Sequence, residues 1–70
     1  MKWHNVQFAN QGVAQTVYDE MIDAGIRVDD IHGVWQLDRY YVVSYMPMTR
    51  KQVEDAYAIV DKHIVEDLHV

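Results

Sequence analysis

Apolar and polar positions change rhythm several times along this chain, and each rhythm names an element. From 3 to 8, Trp3-His4-Asn5-Val6-Gln7-Phe8, they alternate with period two: His4, Val6 and Phe8 fall on one side, Trp3, Asn5 and Gln7 on the other. That repeat is a β-strand's. Asn10 stands where a helix N-cap belongs. From about 11 to 24 the repeat becomes helical. Ala14, Val17, Tyr18 and Met21 centre an apolar stripe flanked by Val13 and Ile22, while Gln15, Thr16, Asp19, Glu20 and Asp23 gather opposite. Gly25 follows the last apolar turn, the place of a left-handed C′ residue.

Ile26 to Leu37 reads as a second strand with an irregular start. Ile26 and Val28 share a face, Asp29-Asp30 breaks the pattern, and Val34-Trp35-Gln36-Leu37 resumes it. Asp38-Arg39 is the hairpin turn, or the centre of a slightly longer loop, since the glycine of a primed turn is missing. Tyr40 to Met46 is the densest run of aromatic and β-branched residues in the chain and the third strand, which Pro47 ends. Thr49 then N-caps a second helix, with Gln52 as the reciprocal half of a capping box and Met48 positioned to staple onto Val53. Val53, Ala56, Tyr57, Val60, Ile64 and Leu68 supply its apolar stripe to about residue 68.

The order β-α-β-β-α predicts an α+β, two-layer sandwich. A right-handed crossover links the first two strands, a hairpin links the second and third, and the most apolar strand lies in the middle. We therefore expect a three-stranded mixed sheet in spatial order 1-3-2 with both helices on one face, a single domain over residues 1–70.

Composition narrows the function. The chain has 70 residues, 50% of them hydrophobic and 24% charged, and a formal net charge of −5. The balance is that of a globular domain, and the acid excess disfavours phosphate neutralisation, so nucleic acid is an unpromising partner. Zero cysteines exclude disulfides and thiolate chemistry. No apolar run is long enough to span a membrane, and the N-terminal residues lack a secretion signal, which together point to the cytoplasm. So short a chain buries only about 60% of its unfolded surface, and oligomerisation is the simplest remaining support.

The third strand carries bulk on both faces: Tyr40, Val42, Ser44 and Met46 on one, Tyr41, Val43 and Tyr45 on the other. Two helices cover only one face of a sheet. We assign Trp3, Val34, Tyr41, Val43 and Tyr45 to the open side as a partner or self-association patch, since Trp and Tyr are enriched at binding hot spots. The alternative cover is long side chains folded over that face.

Candidate chemistry is thin. His4, His32, His63 and His69 are scattered; His63 and Asp67 share a helix face at i, i+4, but no third metal ligand stands at a recognisable spacing. Ser44 lies mid-strand without a glycine elbow, and glycine-rich phosphate loops are absent. Carboxylate pairs such as Asp19-Glu20 and Glu66-Asp67 would need an apolar cleft to work as acid and base. We expect no catalysis, no cofactor and no metal.

Two resemblances bear on this. The element order resembles an RNA-recognition motif without its last strand; that family stacks bases on aromatics at positions held here by Trp3, Tyr41, Val43 and Tyr45. The family's basic-glycine-aromatic signature is missing from Tyr40 to Met46, which puts an electrostatic groove in doubt. Val6-Gln7-Phe8, Gly25 and Tyr41-Val42-Val43 leading to Pro47 and a helix are similar to SPOR peptidoglycan-binding domains over most of the chain. Those positions are generic to the topology, and the family's usual export signal or anchor is missing.

Charge placement adds a last clue. In the second helix Arg50 and Lys51 sit in the first turn and Glu66 and Asp67 in the last, opposing the macrodipole, with Arg50–Glu54 and Lys51–Asp55 at i, i+4 as partial relief. Asp19, Glu20 and Asp23 form one acidic row and Asp61, Glu66 and Asp67 another. The resulting expectation is a small acidic protein-interaction module, a homodimer through the open sheet or the edge of its second strand. Its acidic helical faces would engage a basic protein, in the manner of a phage or mobile-element inhibitor. An RNA or single-stranded DNA binder using the open-face aromatics is the alternative.

Overall fold

The seven residues Tyr40–Met46 form the axis of the molecule. The structure is a computed structural model and describes residues 2–28 and 33–68. Its elements are β1 (His4–Phe8), α1 (Gln11–Asp23), β2 (Arg27–Val28), β3 (Val34–Leu37), β4 (Tyr40–Met46) and α2 (Arg50–Leu68). β1 pairs with one edge of β4, from His4 opposite Tyr45 to Phe8 opposite Tyr41. The other edge is shared: β3 pairs Val34 with Val43 and Leu37 with Tyr40, and β2 pairs Arg27 with Met46 and Val28 with Tyr45.

The α+β sandwich of one sheet and two helices is the predicted one, with two corrections. The strand expected over 26–37 is described as two pieces, making four strands, and Asp29-Asp30 between them lies outside the described residues. The sheet is antiparallel throughout rather than mixed, because every ladder includes β4 and β4 runs against all its neighbours. β1 and β2 are parallel to each other and separated by β4.

Local chemistry sets the corners. α1 ends in a Schellman motif: the Ile26 N–H donates to the Met21 carbonyl and the Gly25 N–H to that of Ile22, both at 2.9 Å. Gly25 holds φ +81°, a conformation that a Cβ would strain. The β3–β4 connection is the two-residue Asp38-Arg39 turn, with Asp38 itself at φ +57°; aspartate is among the few residues that accept this region in place of glycine. At the start of α2 the Gln52 N–H donates to Thr49 Oγ1 at 3.1 Å, and Gln52 Oε1 accepts the Met48 N–H at 2.7 Å. Gln52 Nε2 also donates to the Gly25 carbonyl at 3.0 Å, tying the start of α2 to the end of α1.

The register decides which face the helices cover. Phe8, Val28 and Val43 belong to the same buried cluster as Val13, Ala14, Val17 and Met21 of α1 and Ala56 and Ile59 of α2. Val6, Val34, Tyr41 and Tyr45 pack against that cluster. α2 is turned from the expected orientation. It buries Ala56, Ile59, His63 and Asp67, and leaves Val53, Tyr57, Ile64 and Leu68 of the predicted stripe exposed. α1 lies on all four strands, so α2 packs chiefly on α1 and meets it with its small and polar side.

Candidate functional site

Four of the five residues assigned to an open-face patch lie on the helix side instead. Val34, Tyr41, Val43 and Tyr45 pack in or against the core, and Val43 has no exposed surface. His4 lies opposite Tyr45 and their rings stack at 5.4 Å, so the whole odd-numbered face of β4 follows His4, Val6 and Phe8 inward. Only Trp3, of opposite parity to His4, remains exposed as expected. The clue was available: the His4-Val6-Phe8 side of β1 is its apolar one and belongs in the core.

The open face consists of Trp3, Asn5 and Gln7, then Tyr40, Val42, Ser44 and Met46, then Trp35 and Leu37, with Arg27 at the far end. Val42, Ser44 and Met46 are nonetheless buried. Their cover comes from the sheet's own side chains. Trp35 pairs with Val42 and its indole Nε1–H donates to Ser44 Oγ at 3.3 Å, while Ser44 donates to Asn5 Oδ1 at 2.5 Å. The Arg27 guanidinium lies 5.3 Å from the Trp3 ring centre, a cation–π contact. Trp3, Leu37 and Tyr40 stay exposed, giving a rim of apolar bulk around a satisfied floor.

The acidic rows divide between structural and free groups. Asp67 is buried: one carboxylate oxygen accepts the Ala9 N–H at 2.8 Å, the other the Asn10 N–H at 3.0 Å. The Asn10 side chain, expected to cap α1, donates to Asp67 instead, so the acid at the end of α2 pins the entry to α1. Glu20 bridges the helices, bonded to Lys62 and to Nε2 of buried His63, whose Nδ1 faces Glu66 at 3.3 Å. The Lys62 ammonium first, then His63, holds the Glu20 carboxyl below its ordinary 4.5, against an opposing push from burial. Glu20, Glu66 and Asp67 thus serve the fold. Asp19, Asp23 and Asp61 are exposed and form no ion pair among the described residues, Asp19 accepting only from Gln15 at 3.1 Å. The expected Arg50–Glu54 and Lys51–Asp55 pairs are present at 3.6 and 2.9 Å.

One depression between α2 and the sheet is lined by His4, Tyr45, Pro47, Val53, Ala56 and Tyr57 and has a volume of about 50 Å³. Small-molecule sites hold roughly 300–1,000 Å³. Burial raises the Tyr45 hydroxyl above its ordinary 10.0, which keeps it a neutral phenol. Among the described residues no three His, Cys, Asp or Glu side chains are placed to hold a metal, and no helix is long and apolar enough to cross a membrane. His32 and His69 lie outside the described residues. Compared with family models, curated proteins and solved structures, the chain matches none of them.

Proposed function

We propose that this chain is a non-catalytic binding module of the cytoplasm that engages a basic surface of another protein through the outward face of α1. The carrying observation is a segregation of charge between the two layers. The helices hold eight carboxylates against Arg50, Lys51 and Lys62, a net of −5, which is the whole formal charge of the chain; outside the helices Lys2, Arg27 and Arg39 balance Asp29, Asp30 and Asp38. On α1 the free acids Asp19 and Asp23 lie beside Ile22, which is 48% exposed, so an apolar contact adjoins two unpaired carboxylates. Such a surface speeds encounter with a basic patch and fixes its register. Occupying a basic surface that the partner uses for something else is inhibition, a role that suits a phage or mobile-element protein.

The test is affinity capture from source-cell extract with the wild type and with the double variant Asp19→Lys, Asp23→Lys. The reading requires a basic partner whose capture falls about tenfold or more on charge reversal and weakens with salt. A partner retained equally by both forms removes it.

A second reading has its own support: Trp3, Trp35 and Tyr40 share the open face with Arg27, while Lys2 precedes β1 and Arg39 lies in the turn beside Tyr40. Aromatic faces beside cations are the elements of a single-stranded nucleic-acid platform. Titration of tryptophan fluorescence with oligo-uridine and oligo-thymidine decides it. Salt-sensitive quenching lost in Trp35→Ala or Tyr40→Ala favours this reading over the first.

A further inference from the structure

The stripe that α2 turns outward is symmetric in its spacing. Val53, Tyr57, Ile64 and Leu68 are all exposed, Tyr57 by 66% and Leu68 by 77%, and Val60 is half-buried between them. At 100° per residue these side chains fall within a narrow arc beside the buried face of the helix. Counted from the midpoint between Val60 and Asp61, Val53 mirrors Leu68 and Tyr57 mirrors Ile64. An isologous contact requires this kind of mirror order, since residue i must meet j while j meets i.

We infer that this stripe is the seam of a homodimer in which α2 packs antiparallel against α2 of a second copy. In that register Val53 of each copy faces Leu68 of the other, Tyr57 faces Ile64, and the two Val60 residues meet at the axis. The 4-3-4-4 spacing keeps the stripe on one side of the helix over four turns. Together with Val65, itself exposed, the stripe presents on the order of 500 Å² per copy. Complete burial of that area in two copies amounts to about 1,000 Å², the lower limit for a specific interface.

Charge supports the antiparallel sense. Arg50 and Lys51 oppose the dipole of their own helix. In the antiparallel pair Arg50, which borders the stripe, reaches the C-terminal end of the second α2, where the dipole is negative. A parallel pair would instead place like ends together. Asp61 borders the axis and sets one like-charged pair there. The seam leaves the outward face of α1 and the open sheet face free, so it stands independently of either binding role.

Sedimentation over a wide concentration range reads the proposal directly. A dimer of twice the 8.3 kDa chain mass is expected. Ile64→Glu and Tyr57→Glu should raise its dissociation constant about a hundredfold, Asp61→Asn should tighten it, and Leu37→Glu on the open sheet face should leave it unchanged. All four positions are exposed, and circular dichroism verifies that each variant folds. The chain has no cysteine, so orientation can be read by cross-linking. A mixture of Val53→Cys and Leu68→Cys chains should link to each other in preference to linking like with like. A chain that stays monomeric at the highest concentration overturns the proposal. So does a dimer indifferent to Ile64→Glu, one broken by Leu37→Glu, or self-linking of Val53→Cys alone.

Discussion

The two helices have the same kind of amphipathic sequence and opposite outcomes. α1 buries the residues its stripe predicts, Val13, Ala14, Val17 and Met21, against every strand of the sheet. α2 has a longer stripe and buries a neighbouring face of Ala56, Ile59, His63 and Asp67, held by directed polar contacts. An apolar stripe goes inward only where a surface remains to receive it. With α1 centred on a four-stranded sheet, little sheet is left for α2, and the helix is fixed at its ends and middle by Gln52, Lys62, His63 and Asp67.

Truncation should separate the two stripes most sharply. Met21→Ala in the fully buried face of α1 is expected to cost roughly 2–5 kcal/mol, the range for emptying a close-packed core site. Leu68→Ala in α2 should change stability by no more than about 0.5 kcal/mol, measured by urea unfolding dilute enough to keep the chain monomeric. Equal losses at the two positions would mean that the stripes do not differ.

Polar fastening gives the next largest effect. Asp67→Ala removes a buried carboxylate from two backbone N–H groups and the Asn10 amide, and should cost about 1.5–3 kcal/mol. Amide hydrogen exchange at Ala9 and Asn10 should rise in the same variant. Unchanged protection there would place the anchor of α2 elsewhere.

The smallest effect is a dependence on acid. The folded Glu20 carboxyl titrates below its ordinary value, so the Glu20–Lys62–His63 contact contributes in full above about pH 4.5 and is lost as pH falls through the lower folded value. Glu20→Gln should destabilise by at most about 1 kcal/mol at neutral pH, the scale of a partly exposed pair. Its melting temperature should also fall less than the wild type's between roughly pH 5 and pH 3. Parallel melting curves for the two proteins across that window would remove Glu20 as a source of acid sensitivity.

Local interactions were legible in the chain itself. The strand repeat that gives β1, the Gly25 terminus of α1, the Thr49 cap of α2 and the Pro47 stop each depend on residues within a few positions of one another and stand where the sequence places them, while Gln52 completes the box on the Met48 N–H rather than on that of Thr49. The charged pairs of the first turns of α2 were legible for the same reason. Tertiary structure decided which face of β4 the helices cover: its two faces are close in apolar bulk, Tyr41, Val43 and Tyr45 against Tyr40, Val42, Ser44 and Met46, and the register that pairs the first with the His4-Val6-Phe8 side of β1, itself legible in the sequence, breaks the tie. It also decided that Glu20 and Asp67 tie α2 to α1 and its entry and that Glu66 faces His63 within α2, while Asp19, Asp23 and Asp61 remain free. Carboxylates look alike in a sequence; their roles depend on which donors the fold brings to them from as far as 58 positions away.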